Sequence, residues 1–160
     1  LLGGTEFGHT VVQVGGVRCT CGREGCLESY ASATGLIRMA REQMDKHPDS
    51  LLWKLCDGDK RKVNAELAFK ASDEKDEAGI LAVQEYMKYL AAGVANAINM
   101  FRPEVVVLGG GISNRGEKLA AELNEMVKGE CFGHTFVKPA EVVIASLKND
   151  AGIIGAAELC

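Results

Sequence analysis

A short stretch near the start of the chain, from Glu6 to Glu28, contains the residues best suited to chemistry. It reads EFGHTVVQVGGVRCTCGREGCLE, with one histidine, three closely spaced cysteines and a glutamate at each end. Sulfur and imidazole nitrogen donors in such a set suit a zinc ion. Ionised carboxylates accept hydrogen bonds only, so they suit a ligand that carries hydroxyl donors. The stretch therefore predicts a metal site, whereas the two glutamates taken alone fit either a binding site beside it or ordinary surface or capping carboxylates.

The predicted zinc ligands are His9, Cys19, Cys21 and Cys26. Structural zinc sites use four nitrogen or sulfur ligands in a closed tetrahedron. The Cys-x-Cys-x4-Cys spacing brings three sulfurs into one tight loop, and Gly22 and Gly25 permit the sharp backbone turns that it needs. Because no coordination position stays open, the ion should stabilise the loop rather than activate water. The alternative is a set of free thiols beside an unrelated histidine.

The composition is typical of one soluble globular domain, and we expect it to span residues 1–160. Hydrophobic residues make up 47% and charged residues 25% of the chain. A net charge of -4 gives no electrostatic basis for binding nucleic acid or an anionic membrane. Clustered cysteines near a histidine favour metal over disulfides and a cytoplasmic location. The chain opens without a methionine, and we expect it to be part of a longer polypeptide.

The first elements are predicted to be mainly helical. Thr10 to Val14 is a strand candidate beside the cysteine-rich loop. Apolar residues recur at helical spacing from Leu27 to Met44, and Gly35 suggests two pieces that meet near residues 32–35. A longer apolar stripe predicts one helix from about Asp76 to Met100.

Strands and helices alternate at the end of the chain, which predicts an α/β fold. The segments Glu104 to Leu108 and Glu141 to Leu147, each with a run of apolar residues after its glutamate, predict two strands buried on both faces. A helix from Glu117 to Val127 lies between them, and Asp150 is the predicted N-cap of a final helix, AGIIGAAEL.

Three consecutive glycines follow the first of these strands: Gly109, Gly110 and Gly111. A glycine-rich turn between a strand and a helix is where α/β folds bind nucleotides. The alternative is a tight turn with no ligand.

Two motifs resemble those of the ROK family of sugar kinases and sugar-responsive repressors. EFGH matches the family's ExGH element, and CTCGREGCLE matches its CxCGxxGCxE element. The segments VVVLGGGIS and DAGIIGAAEL are also similar to the C-terminal half of the family. The resemblance therefore covers nearly the whole chain.

The resemblance implies the C-terminal lobe of an actin-like ATPase (ribonuclease H-like) sugar kinase with a zinc-stabilised loop. In such kinases the two motif glutamates hydrogen-bond the sugar hydroxyls, and the histidine both ligates zinc and lies against the sugar. The implied substrate-binding residues are Glu6, His9 and Glu28. The glycines 109–111 would line the ATP pocket, with Mg²⁺ accompanying ATP.

The same resemblance implies an ATP-dependent hexose kinase, glucokinase-like, as the parent protein. Its catalytic base is an aspartate of the first lobe, a stretch that these 160 residues do not include. We therefore predict no catalytic residue in this chain, and expect it to be inactive alone and to form a homo-oligomer. The rival interpretation is the effector domain of a sugar-responsive repressor of the same family.

Overall fold

The computed structural model describes residues 5–147 and 150–158. Its contacts define two compact units, one ending at Gly93 and the other beginning at Val94. The helices and strands of the described ranges are α1 (Glu28–Ala31), α2 (Ala33–Lys46), α3 (Leu51–Leu55), α4 (Ala65–Asp73), α5 (Glu77–Phe101), β1 (Val105–Leu108), α6 (Glu117–Lys128), β2 (Glu141–Ile144) and α7 (Ala151–Ala157). In these ranges, none of the helices is long and apolar enough to cross a membrane.

The first unit packs short helices around α2. Four side chains at helical spacing, Leu36, Met39, Ala40 and Met44, are fully buried and form the core face of this helix. The predicted break before it is confirmed, because Ser32 has extended backbone and its side chain accepts from the Gly35 N–H at 3.1 Å. Such an N-cap ends α1 and starts α2.

Asp76 ties the start of α3 to the start of α5. Its carboxylate accepts from the Ser50 hydroxyl and from the Leu51 N–H, each at 2.8 Å. It also accepts from the Gly79 N–H at 3.0 Å. These three bonds satisfy donors at two helix N-termini, where the helix dipole favours a negative charge.

The second unit is a parallel strand–helix–strand arrangement. β1 and β2 pair in parallel with Val105 opposite Glu141 and Leu108 opposite Ile144. In α6, the Asn124 side chain donates to the Val142 carbonyl at 2.8 Å and accepts from the Val142 N–H at 2.9 Å. The predicted α/β class and the two strands are therefore confirmed.

Two sequence-based expectations were wrong, and a third is confirmed in position only. β1 is not buried on both faces, because Val105 and Val107 are 45% and 56% exposed. Thr10 to Val14 forms a single bridge, from Val11 to Cys26, since the chain turns away at once. Asp150 holds the N-cap position of α7 without a side-chain capping bond. The end of the predicted last helix, Leu159, lies outside the described residues.

Candidate metal centre and binding site

The cysteine-rich loop is closed by backbone hydrogen bonds at its base and near its tip. At the base, the Leu27 N–H donates to the Thr10 carbonyl at 2.8 Å. Near the tip, the Cys19 N–H donates to the Arg23 carbonyl at 2.7 Å, and the Gly22 N–H donates back to Cys19 at 3.0 Å. These bonds fold the chain so that residues up to seventeen positions apart in sequence can share one centre.

Gly25 allows the two sides of the loop to approach closely. Its φ is +77°, and a Cβ atom there would lie 1.7 Å from the Gln13 carbonyl oxygen. Its own carbonyl accepts from the Val12 and Gln13 N–H groups at 2.8 and 3.2 Å. A side chain at this position is therefore excluded both by backbone conformation and by space.

The four predicted zinc ligands are brought together by this loop. The ligand atoms of His9, Cys19, Cys21 and Cys26 all lie within 4.8 Å of one another. His9 Nδ1 is 3.5 Å from Cys19 Sγ, and the Sγ atoms of Cys21 and Cys26 are 3.7 Å apart. Zn–S and Zn–N bonds of about 2.3 and 2.0 Å give tetrahedral edges of roughly 3.5 to 3.8 Å. The donor set and these two edges fit a tetrahedral zinc ion.

Two of the three thiols differ in their readiness to ionise. The backbone N–H of Cys21 lowers the pKa of the Cys19 thiol to about 6, so this sulfur is a thiolate at neutral pH. Burial raises the pKa of the Cys26 thiol to about 11. Metal binding requires thiolates, so an ion entering here would displace the Cys26 proton.

The second ring nitrogen of His9 faces a carboxylate. Its Nε2 lies 3.5 Å from Glu28 Oε2. Glu28 is the first residue of α1, and its side chain is 46% exposed, so it can meet a ligand from solvent. A Cβ atom added at Gly8 would lie 3.6 Å from the same carboxylate oxygen, so the 3-10 turn Phe7–His9 packs close to it.

Glu6 joins this group through the backbone. It is exposed and immediately precedes the 3-10 turn that ends at His9. Its carbonyl accepts from the His9 N–H at 3.0 Å. The structure thus brings His9 and Glu28 into contact and places Glu6 at the start of the same turn.

Sequence reasoning missed the polar residues around Glu28. A cleft of about 170 Å³ beside it is also lined by Arg18, Thr20, Ser29, Thr34 and Arg38. Ser29 and Thr34 were not singled out as site residues, because they lie in a segment whose apolar spacing predicts helix. A search for hydroxyl groups flanking the motif glutamate could have found Thr20 and Ser29.

The glycine run belongs to the second unit. It connects β1 to a 3-10 turn, Gly111–Arg115, and Gly110 has a φ of +72°. The buried Ser113 hydroxyl donates to the Gly110 carbonyl at 2.6 Å, which fixes the turn. Among the described residues other than the chain neighbours, none lies within 4 Å of a Cβ atom added at Gly110 or Gly111, so a ligand could approach this backbone.

Comparison with known proteins decides the family. Residues 3–160 match the ROK family. This chain belongs to the ROK family.

The most similar relatives include bacterial glucokinases. The glucokinase of Thermotoga maritima is 42% identical over 98% of this chain and 49% of its own length. That of Halalkalibacterium halodurans is 40% identical over 94% of this chain and 45% of its own length. The xylose repressor of Caldicellulosiruptor bescii is 27% identical over 94% of this chain and 37% of its own length. The chain thus spans about half the length of the glucokinases it matches.

A solved structure shares the fold. The ROK family glucokinase from Streptomyces griseus, in complex with glucose and AMPPNP, matches 97% of this chain and 50% of its own. The TM-score is 0.88 at 30% identity. The α/β fold is therefore that of the ROK sugar kinases, which are actin-like ATPases.

Proposed function

We propose that this chain is the C-terminal, sugar-binding lobe of an ATP-dependent hexose 6-phosphotransferase, with glucose as the hexose. The observation that carries the proposal is the double contact of His9. One ring nitrogen faces the sulfur of Cys19, and the other faces the carboxylate of Glu28, each at 3.5 Å. The metal centre and the sugar-binding carboxylate therefore share one side chain, and the matching glucokinases support the activity.

In this proposal, His9, Cys19, Cys21 and Cys26 hold a structural zinc ion. When bound, it cross-links the loop and leaves no open position for a water or a substrate. Arg23 supports the site by donating to the His9 carbonyl at 3.3 Å, which places a positive charge near the thiolates. The loop's own residues then hold His9 and Glu28 against each other.

The sugar-binding residues are Glu6, His9 and Glu28. Ionised carboxylates accept hydrogen bonds from hydroxyl groups, and charge-assisted bonds of this kind are stronger than neutral ones. Glu28 is exposed enough to meet a sugar, and its contact with His9 limits its rotamers. These residues bind and orient the hexose.

Phosphoryl transfer needs further groups. In the proposed reaction, the sugar 6-hydroxyl attacks the γ-phosphate of ATP, with Mg²⁺ bridging phosphate oxygens. The glycine run Gly109, Gly110 and Gly111, whose backbone is open at the last two positions, is the proposed contribution of this chain to the nucleotide pocket. No side chain of the described residues is assigned the role of base, which we place in the remainder of the protein.

Glucose binding measured by calorimetry on the complete gene product tests the proposal. We expect Glu28→Gln and Glu6→Gln to weaken binding, since the loss of a hydrogen bond to a charged group costs about 1.5–3 kcal/mol, or roughly 10- to 100-fold. Glu24→Gln is the matched control, because Glu24 lies exposed in the same loop outside the His9–Glu28 contact. If Glu28→Gln and Glu6→Gln bind glucose as tightly as the wild type and Glu24→Gln do, the sugar-binding role is refuted.

The second candidate is the effector domain of a sugar-responsive repressor. The match to the xylose repressor over 94% of the chain favours it, although at 27% identity against 42% for the glucokinase. The two functions differ in the fate of the bound sugar. A kinase converts glucose and ATP to glucose 6-phosphate and ADP, whereas a repressor binds the sugar unchanged and carries a DNA-binding segment upstream.

A further inference from the structure

Tyr30 connects the helix that carries Glu28 to the loop that carries the cysteines. It lies two residues after Glu28 and is 4% exposed. Its phenol oxygen accepts from the Val17 N–H at 2.7 Å, across thirteen residues of sequence. Val17 in turn lies two residues before Cys19. The bond thus joins both parts of the proposed site.

The backbone leaves space for this phenol only because residue 16 is glycine. A Cβ atom added at Gly16 would lie 2.1 Å from the Tyr30 oxygen. The turn that presents this position is closed by the Gly16 N–H, which donates to the Gln13 carbonyl at 3.0 Å. A side chain at residue 16 would therefore collide with the Tyr30 hydroxyl group.

Two neighbours fix the ring of Tyr30. The ring of Tyr89, in α5, lies with its centroid at 4.2 Å and a tilt of 34°. The Arg38 guanidinium, in α2, lies 5.4 Å from the Tyr30 centroid, within the range of a cation–π contact. Arg38 also donates to the Ser29 carbonyl at 3.4 Å and to Glu42 at 2.7 Å.

The helix that carries Glu28 cannot hold its own orientation. α1 has four residues, and its N-cap residue, Leu27, provides no side-chain hydrogen bond. Helices this short are not stable by themselves, so contacts made by their side chains determine their position. Of those side chains, Tyr30 is the buried one.

We propose that Tyr30 is a positioning residue, whose hydroxyl holds Glu28 against His9 and thereby sets the affinity for the sugar. This inference rests on the proposed function. The hydroxyl is directed at the Val17 amide, so we assign it no contact with the sugar. Its effect reaches the ligand through Glu28 and the loop.

The test compares Tyr30→Phe with Tyr89→Phe in the complete gene product. Tyr30→Phe keeps the ring stack and leaves the Val17 N–H without its acceptor. We expect the glucose Kd and KM to rise about tenfold, with kcat within about threefold, because the contact acts equally on bound substrate and transition state. Tyr89→Phe also keeps the stack, and its partly solvated hydroxyl makes only a 3.4 Å bond to Gln13. We expect its Kd to stay within about twofold of the wild type.

Gly16→Ala provides a second variant that leaves Tyr30 itself unaltered. An added Cβ atom would lie 2.1 Å from the Tyr30 hydroxyl oxygen and 2.9 Å from the Gln13 carbonyl oxygen, so both groups must shift. The variant should raise the glucose Kd in the same direction as Tyr30→Phe. If the wild type binds glucose and Tyr30→Phe binds it with equal affinity, this inference is overturned while the proposed function stands. That conclusion holds even if the variant has a lower melting temperature. Absence of glucose binding by the wild type overturns the proposed function and this inference with it.

Discussion

His9 is the residue at which the proposed metal site and the proposed sugar site meet. Its Nδ1 faces Cys19 and its Nε2 faces Glu28, so the ring has a distinct partner on each side. A metal on Nδ1 leaves the proton on Nε2, where it can be donated to the carboxylate. Histidine ligands of metals commonly make such a bond, which fixes both the tautomer and the ring orientation. The hydrogen bond from Nε2 would then orient both the His9 ring and the Glu28 carboxylate.

The zinc proposal predicts a specific effect of Cys21→Ser. Cys21 is the exposed cysteine of the set, so its replacement changes little packing. Metal analysis of the wild type should find about one zinc ion per chain, and the variant should contain markedly less. Because a bound metal stabilises the folded state, thermal denaturation should show a lower melting temperature.

Cys56→Ser is the control for this prediction. Cys56 is buried outside the cluster, where its thiol donates to the Trp53 carbonyl at 3.5 Å. The substitution can alter stability, but zinc content should remain that of the wild type. A metal-free wild type with the same melting temperature as Cys21→Ser would contradict the zinc site.

At the level of elements, most of what the sequence predicted rests on periodicity and spacing. The helix predicted from Asp76 to Met100 is present as Glu77–Phe101, because its apolar stripe is unbroken. The four metal donors converge as predicted, because the cysteine spacing places them in one tight loop. Such features depend on local chain geometry, which the sequence determines directly.

Features that depend on tertiary contacts were not predictable in this way. The apolar run at β1 does not reveal which face another element covers, and Val107 is in fact exposed. The helical spacing of Tyr30 predicts a core position, but it gives no indication that the hydroxyl accepts from Val17. The contact between His9 and Glu28 also depends on the path of the folded loop, since the two residues are nineteen positions apart in sequence.

The loop glycines provide a prediction at this scale. Gly25→Ala should destabilise the protein by more than about 2 kcal/mol, which exceeds the usual cost of a left-handed alanine, because the Gln13 backbone must also move. The Cβ atom would lie 1.7 Å from the Gln13 oxygen. Chemical denaturation measures the stability, and chelator competition measures retention of zinc.

Gly22→Ala is the matched control for the loop. Gly22 also has a positive φ, +90°, but in the part of the chain that the structure describes only its chain neighbours come within 4 Å of an added Cβ atom. This variant should lose only about 1–2 kcal/mol, the cost of the backbone conformation. Equal losses of stability in Gly22→Ala and Gly25→Ala would show that the close approach of Gly25 to the Gln13 backbone adds nothing to the cost of the substitution.

At the scale of the molecule, the second unit exposes several apolar side chains. Val105 and Val107 of β1 are about half exposed, and Ile153 of α7 is 75% exposed. Exposed apolar groups of this kind favour association with other protein surfaces. The predicted homo-oligomer and the predicted single domain stay predictions, and sedimentation at several protein concentrations would measure the association.

In the proposed kinase, sugar binding and proton abstraction are assigned to different parts of the protein. In that proposal this chain supplies the sugar-binding carboxylates and a glycine turn, but phosphoryl transfer also needs a base that accepts the hydroxyl proton. The 160-residue chain alone should therefore show no measurable transfer from ATP to glucose, whereas the complete gene product should be active. Equal zinc content in both proteins would show that the loop is intact in each. Sustained turnover by the chain alone would place the base among its own residues and contradict the assignment.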